Sequence, residues 1–166
     1  MLETSQDRKI AALTTSYCVH FLCGDNMKFE FMKKCVDLAM CAYDNDEVPV
    51  GAVVIKNNEI IGCGYNRKES SNLCTRHAEI DAIENANRNI NSWRLDGCVL
   101  YVTLEPCLMC CGAILESRID RVIYLVKRTN VHYSASDYVK CERFVGNDVL
   151  SKEYLNVLSD FFKKKR

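Results

Sequence analysis

The apolar and polar positions of the chain become regular from Met27 onward. In the stretch that follows, the apolar residues recur with helical spacing at Phe31, Cys35, Leu38, Ala39 and Ala42. This spacing predicts an amphipathic helix. The first 26 residues have no clear periodicity, so the sequence predicts a poorly ordered N-terminal extension over residues 1–26 and a domain over residues 27–166.

Four short apolar runs predict β-strands. Val50 to Ile55 is rich in β-branched residues, Asn57 and Asn58 form a turn signal, and Glu59 to Tyr65 can return as the second strand of a hairpin. Residues 98–103 and 121–126 are further apolar runs of strand length. The hairpin and the two later runs therefore predict a sheet of at least four strands.

Three more segments have helical character. A helix is predicted to begin near His77, with an apolar face formed by Ile80, Ile83, Ala86 and Ile90. Another is predicted from Pro106 to about Ser117, because proline suits the first turn of a helix. The last has an apolar stripe formed by Tyr154, Leu155, Leu158, Phe161 and Phe162.

The order of elements is typical of one α/β domain. Residues 127–147 are polar and are predicted to be an irregular loop, so the order is α-β-β-α-β-α-β-α. A hairpin followed by strand–helix–strand units predicts one mixed sheet with helices on both faces and right-handed crossovers.

Length and charge limit the classes of function. A chain of 166 residues suits one domain with a substantial core. Lys and Arg together number 22, as do Asp and Glu, so the total charge predicts no polyanionic partner and any contact with nucleic acid needs a local patch. The sequence has no apolar run of about 18 residues and no secretory signal pattern. It therefore predicts a cytoplasmic protein that does not associate with membranes.

The chain is rich in cysteine, with 11 residues at irregular spacing. An odd number in a chain without a secretory signal favours reduced thiols over a disulfide framework. Cys35, Cys41, Cys63 and Cys98 lie in apolar patterns and are interpreted as small core residues.

The stretch "EPCLMCC" holds three cysteines in five residues. Cys107 and Cys110 have i, i+3 spacing, so both sulfurs can share one face at the start of a helix, where thiolates are favoured. Alone, this pair could bind a metal, act as a redox dithiol or occur by chance. Cys111 lies about 100° further round the helix and is interpreted as a core thiol.

His77 and Glu79 favour the metal interpretation. His20 lies in the N-terminal extension and His132 in the polar loop, whereas His77 begins a predicted helix. There, His77 as a cap residue and Glu79 in the first turn could both face one pocket. One histidine and two cysteines with a fourth position open form the catalytic arrangement of zinc, whereas a redox dithiol needs neither residue. Glu79 could move protons to and from the reacting groups, or could be a solvated carboxylate at a helix start.

The pattern H-x-E…P-C-x-x-C is the signature of zinc nucleobase deaminases. The stretches "VPVGAVVI", "GYNRK", "HAEIDAI", "LYVTLEPCLMCCGAI", "SRIDRVIY" and "LSDFFKKKR" closely resemble the bacterial-type tRNA adenosine deaminase family, over roughly residues 29–166. The resemblance implies a cytidine deaminase-like fold, a three-layer α/β/α arrangement with a mixed five-stranded sheet. It also implies hydrolysis of the wobble adenosine of a tRNA anticodon to inosine.

The resemblance implies roles for individual residues. His77, Cys107 and Cys110 would bind one Zn²⁺ per chain, and Glu79 would be the proton shuttle. Asn66 would hydrogen-bond the base, and Val50 and Leu104 would flank it; alternatively, Asn66 is a turn residue and the other two belong to the core. The family also implies a homodimer that binds a tRNA anticodon stem–loop.

The segment after residue 126 departs from the family. The family usually has a loop rich in Gly and Ala with an acidic residue near the bound nucleotide, whereas this chain has Arg128 at the corresponding position. The basic side chains of the segment could contact phosphate, or the segment could be a solvated loop. The same alternatives apply to the basic C-terminus, "KKKR".

Two other functions remain open from the sequence. A deaminase of a free base or nucleoside, guanine or cytosine, would share the metal site but need no RNA. A non-catalytic RNA-binding subunit would keep zinc only for structure, and the presence of Glu79 disfavours it.

Overall fold

A computed structural model describes residues 24–129, 131–145 and 147–165 of the chain. The helices are α1 (Gly24–Asp44), the single turn α2 (Lys68–Ser71), α3 (Ala78–Ile90), α4 (Leu108–Glu116) and α5 (Asp148–Lys164). The strands are β1 (Gly51–Lys56), β2 (Glu59–Tyr65), β3 (Val99–Leu104), β4 (Arg121–Val126) and β5 (Cys141–Arg143). A 3₁₀ turn covers Ala135–Asp137.

The five strands form one mixed sheet in the order β2-β1-β3-β4-β5. β1 is antiparallel to β2 and to β3, whereas β3, β4 and β5 run parallel. The β1–β2 hairpin turns at Asn57 and Asn58, which adopt φ values of 50° and 65°, the left-handed conformation that asparagine tolerates. The predicted mixed five-stranded sheet is confirmed.

Glycines in the hairpin let helices approach both faces of the sheet. A Cβ built on Gly51 would lie 2.1 Å from the Cys35 carbonyl oxygen of α1. One built on Gly64 would lie 2.3 Å from the Ala78 carbonyl oxygen of α3. Gly64 pairs with Ala52, the residue next to Gly51, so the two glycines face opposite sides. The sheet is therefore covered on both faces, as the three-layer prediction requires.

The core fills the space between sheet and helices. Its fully buried side chains include Met32 of α1, Leu100 and Val102 of β3, and Leu125 of β4. Three of the four cysteines assigned to the core (Cys35, Cys63 and Cys98) are buried, whereas Cys41 is only half-buried. All cysteines within the described ranges have free thiols.

The structure differs from the sequence prediction at three places. The segment 127–147 is not wholly irregular, because it contains the 3₁₀ turn and β5, which pairs with β4 through Val122 and Cys141. The short helix α2 was not predicted. Helix α1 begins at Gly24 rather than Met27, and the rest of the predicted extension, residues 1–23, lies outside the described residues.

The topology gathers several chain segments at one edge of the sheet. β3 and β4 run parallel, so their carboxyl ends lead at this edge to residues 105–107 and 127–128. β1 is antiparallel to β3, so its start lies there too, and Asn66 after β2 donates its backbone N–H to the Val50 carbonyl oxygen at 3.0 Å. Functional side chains at this edge can therefore come from four separate segments.

Within the described part of the chain, no helix combines the length and the apolar character needed to cross a lipid bilayer.

Candidate active site

Three side chains converge where α3 and α4 begin. The Nδ1 atom of His77 lies 3.5 Å from Cys107 Sγ and 3.6 Å from Cys110 Sγ, and the two sulfurs are 3.5 Å apart. Such a triangle of one imidazole nitrogen and two sulfurs fits around a single ion. The structure thus brings together all three residues predicted as metal ligands. His132 is exposed and lies outside this group, and His20 is not among the described residues.

Helix ends position the three donors. His77 and Cys107 are the N-cap residues of α3 and α4, and both have extended backbone conformations with ψ of 156° and 170°. Cys110 lies one turn into α4 and is fully buried. The adjacent Cys111 is also buried but does not belong to the triangle, in agreement with its interpretation as a core thiol.

The ionisation of the two sulfurs is coupled. The hydrogen bond with Cys110, together with the hydrogen bond with His77, lowers the pKa of Cys107 to about 3 against the effect of burial. The interaction with Cys107 and burial both raise the pKa of Cys110. The hydrogen bond with Cys107 also raises the pKa of His77. A bound cation would favour the thiolate form of both sulfurs.

Glu79 lies in the first turn of α3 next to this triangle. Its side chain is 2% exposed. Together with Cys107 and burial, the negative charge of Glu79 raises the pKa of the Cys110 thiol. Burial raises the pKa of this carboxyl, while the charges of His77 and Arg128 oppose the rise. A carboxyl group with a raised pKa accepts a proton more readily than an ordinary glutamate, which is the property that a proton shuttle needs.

The predicted substrate-binding residues lie at the same sheet edge. Val50, Asn66 and Leu104 are 8%, 5% and 9% exposed, so each shows only a small surface. Asn66 follows β2, Val50 precedes β1 and Leu104 ends β3. Their placement is compatible with contacts to a bound base.

Glu47 fixes the orientation of Asn66, and the sequence analysis did not identify it. The Glu47 side chain is fully buried, and its Oε2 accepts hydrogen bonds from Asn66 Nδ2 at 3.2 Å and the Glu69 backbone N–H at 3.1 Å. Its Oε1 accepts from the Ser70 backbone N–H at 2.7 Å. A carboxylate only accepts, so Asn66 must present its Nδ2 to Glu47. The available signal was an acidic residue directly before the apolar "VPVG" stretch.

Glu105 is a second buried carboxylate that was missed. It is 1% exposed and accepts from the Arg128 backbone N–H, the Ser134 hydroxyl and the Ala135 backbone N–H, at distances between 2.7 and 3.1 Å. Glu105 lies two positions before Cys107, so these hydrogen bonds tie the segment after β4 to the chain that leads into the metal-ligand candidates. A charged residue at the end of a buried strand was the signal for it.

Ion pairs hold the segment between β2 and α3. Arg67 contacts both carboxylate oxygens of Asp81 at 2.7 Å, and Arg76 reaches Asp81 and Glu84 at 3.4 and 3.0 Å. The Arg67 backbone N–H also donates to the Arg76 carbonyl oxygen at 3.0 Å. These contacts fasten the residues directly before His77 to α3.

Comparisons with known proteins agree with this architecture. The family of MafB19-like deaminases matches residues 26–166. A tRNA-specific adenosine deaminase of Buchnera aphidicola is 40% identical over 142 residues, which cover 82% of this chain and 94% of the relative. A structure from a study of A-to-I editing by tRNA:A34 deaminases is similar with a TM-score of 0.70 at 31% identity, covering 78% of this chain and 99% of that one. The guanine deaminase of Bacillus subtilis is similar with a TM-score of 0.58 at 29% identity, covering 81% and 93%.

The fold and the arrangement of His77, Glu79, Cys107 and Cys110 define a deaminase of the cytidine deaminase-like class. Within that class, the chain belongs to the family of tRNA-specific adenosine deaminases.

Proposed function

We propose that this protein hydrolyses the wobble adenosine of a tRNA anticodon loop to inosine, with release of ammonia. The observation that carries the proposal is the convergence of His77, Cys107 and Cys110 beside the buried carboxylate of Glu79. The similarity to tRNA-specific adenosine deaminases along most of the chain supports the choice of substrate.

The three donors fit one zinc ion per chain. Imidazole nitrogen and thiolate sulfur suit Zn²⁺, and Mg²⁺ and Ca²⁺ prefer oxygen ligands. The donor atoms lie within 4.8 Å of one another, and three protein donors leave a coordination position for solvent. When bound, zinc lowers the pKa of a coordinated water, so it supplies a nucleophile at neutral pH.

The protein side chains would supply proton transfer and orientation. Glu79 takes the proton from the attacking water and delivers it to the departing amino group at C6 of adenine. Asn66, held by Glu47, hydrogen-bonds the base, and Val50 and Leu104 pack against its two sides. Exclusion of bulk water by these buried groups strengthens each electrostatic contact.

A guanine deaminase is the second candidate, because the guanine deaminase of Bacillus subtilis has a similar fold. Incubation of the zinc-loaded protein with an anticodon stem–loop RNA, free guanine, free cytosine and free adenosine separates the candidates. Inosine in the RNA supports the proposal, and deamination of a free base alone contradicts it.

The assembly and the cellular location are part of the proposal. We place the protein in the cytoplasm as a homodimer, with anticodon contacts from both chains. The exposed apolar residues Leu108 and Leu115 of α4 are 47% and 49% exposed, and Gly112 between them is also exposed. This row, at i, i+4 and i+7, is an apolar stripe that a second copy would cover.

Substitution of Glu79 tests the mechanism directly. The Glu79→Ala variant should keep its zinc and its affinity for RNA, because Glu79 is not a ligand in this proposal. Its kcat for inosine formation should fall by about 10²-fold or more, since general acid–base catalysis contributes roughly 10²–10⁴-fold. Unchanged turnover in the variant would rule out Glu79 as the proton shuttle.

A further inference from the structure

Arg128 occupies an unusual place for a charged residue. It follows the end of β4, its side chain is half-buried, and its Nε donates to the Glu105 backbone carbonyl oxygen at 3.2 Å. Its backbone N–H donates to Glu105 Oε2 at 3.1 Å. Both contacts go to Glu105, two residues before the metal-ligand candidate Cys107, so Arg128 is fastened to the edge of the active site.

The guanidinium group is held where β3 leads into α4. Glu105, whose carbonyl oxygen accepts its hydrogen bond, lies between Leu104, the last residue of β3, and Cys107, the N-cap residue of α4. The neighbouring Lys127 is exposed, whereas Arg128 is half-buried. The two residues therefore carry the same charge in different environments.

The guanidinium group of Arg128 has hydrogen-bond donors that are not used within the described residues. Across the described ranges, its side chain forms no ion pair with a carboxylate, and its one hydrogen bond uses Nε. The two terminal nitrogens therefore have donors left at a site where water is partly excluded. A half-buried guanidinium with unused donors on its terminal nitrogens is costly, and a bound anion would offset that cost.

We propose that Arg128 binds a phosphate of the RNA backbone next to the target adenosine, and that Glu105 is the positioning residue that holds Arg128 there. The inference rests on the proposed RNA substrate, because a free base has no phosphate. A guanidinium fork matches the paired oxygens of a phosphodiester. Arg128 would thus favour a nucleotide within a chain over the free base.

Binding of an anticodon stem–loop RNA to the zinc-loaded protein, measured by fluorescence anisotropy over a series of salt concentrations, tests the proposal. The Arg128→Ala variant should bind roughly ten- to a hundredfold more weakly, the usual effect of losing a charged hydrogen bond. The slope of log affinity against log salt should become shallower by about 0.7, the value for one phosphate contact on single-stranded RNA. The Lys127→Ala variant removes the same charge one residue away and should match the wild type.

Two outcomes would overturn the assignment of Arg128. One is an Arg128→Ala variant with wild-type affinity and slope. The other is an equal loss in Lys127→Ala, which would mean that the charge of the segment acts without a specific contact. Inosine formation is measured separately in the wild type. If the wild type is active and either outcome is found, the proposed function stands and only the assignment of Arg128 is wrong. An inactive wild type would instead remove the proposed function.

Glu105 is tested through its coupling to Arg128. The Glu105→Gln variant keeps the shape of the side chain but can no longer accept from Arg128, Ser134 and Ala135 together. If Glu105 acts through Arg128, Glu105→Gln should weaken RNA binding and flatten the salt slope, and adding Arg128→Ala should cause little further loss. Fully additive losses, or a wild-type salt slope in Glu105→Gln, would contradict the positioning role.

Discussion

At the scale of single residues, the active site depends on buried carboxylates that have different tasks. Glu79 is 2% exposed and its pKa is raised by burial, so it is suited to carry a proton. Glu47 and Glu105 are instead saturated with hydrogen bonds from backbone and side-chain donors. A carboxylate held in this way by several donors fixes the orientation of its neighbours.

Replacement of Glu47 tests this orienting role. A glutamine at position 47 would have only one acceptor oxygen. Its amide nitrogen, which is a donor, would then face another donor, either the Asn66 side chain or the Ser70 backbone N–H. We expect Glu47→Gln to lower kcat/KM for an anticodon stem–loop by about 10²-fold, the cost of a misplacement of roughly 1 Å, at unchanged zinc content. The control is Glu69→Gln. It makes the same chemical change at a side chain that is 70% exposed, in a residue that contacts Glu47 only through its backbone N–H. A wild-type kcat/KM for Glu47→Gln would show that Asn66 does not depend on Glu47.

Cys110 and Cys111 provide a matched pair for the metal site. Both are buried in α4, at 0% and 2% exposure, but only Cys110 belongs to the triangle with His77 and Cys107. We expect Cys110→Ala to lose bound zinc and activity, and Cys111→Ala to retain one zinc per chain. Native mass spectrometry measures the stoichiometry. Zinc retained in Cys110→Ala, or lost only in Cys111→Ala, would place the ion elsewhere.

At the scale of the elements, close contact between the hairpin and α3 sets the position of His77 and Glu79. β2 carries glycine at positions 62 and 64, and α3 lies directly against both. A Cβ at position 64 would lie 2.3 Å from the Ala78 carbonyl oxygen and 2.4 Å from the Ala82 nitrogen, both of them backbone atoms. The helix that begins after His77 can take its place only because these positions lack side chains.

Gly64→Ala should therefore disturb both the fold and the metal site. We expect a loss of about 1–3 kcal/mol in the free energy of unfolding, the usual cost of overpacking, together with weaker zinc binding. Gly112 of α4 is the control, because a Cβ there meets nothing within 4 Å in its own chain and would add one methyl group to the apolar stripe of α4. Gly112→Ala in a helix interior should raise the free energy of unfolding by about 0.5–1 kcal/mol. Urea unfolding measures both, and equal stabilities of the two variants would contradict the role given to Gly64.

The pattern of apolar and polar residues was sufficient to predict the helices and strands that bury one or both faces in the core. β2 runs from Glu59 to Tyr65 as predicted, because the turn at Asn57 and Asn58 returns the chain beside the apolar strand β1. β5 was missed because it has three residues, two of them exposed, and forms only by pairing with β4. The metal triangle followed from helix geometry and motif spacing. Glu47 and Glu105 could not be found in that way, since the direction of a buried carboxylate depends on contacts between distant segments.

At the scale of the whole molecule, the sheet edge and the N-termini of two helices meet, so residues far apart in sequence share one site. Tyr154 of α5 joins this arrangement by donating its hydroxyl to the Pro49 carbonyl oxygen at 2.9 Å, and Phe161 packs edge-on against Tyr43 of α1. The C-terminal helix thus supports the loop that carries Glu47 and Val50. Helix α4, which contributes Cys107 and Cys110, instead turns its apolar stripe of Leu108, Gly112 and Leu115 outward.

The proposed homodimer would cover this stripe on α4. Leu115 lies at the far end of α4 from the metal ligands and is 49% exposed, so Leu115→Glu should place a charge in the interface without touching the site. Size-exclusion chromatography with light scattering should show a dimer for the wild type. Leu115→Glu should be a monomer, or a dimer with a larger dissociation constant than the wild type. Leu155 of α5 is 43% exposed on another helix, and Leu155→Glu should leave the mass unchanged. A wild-type monomer, or a dimer that Leu115→Glu leaves intact, would mean that this face of α4 does not hold a second copy.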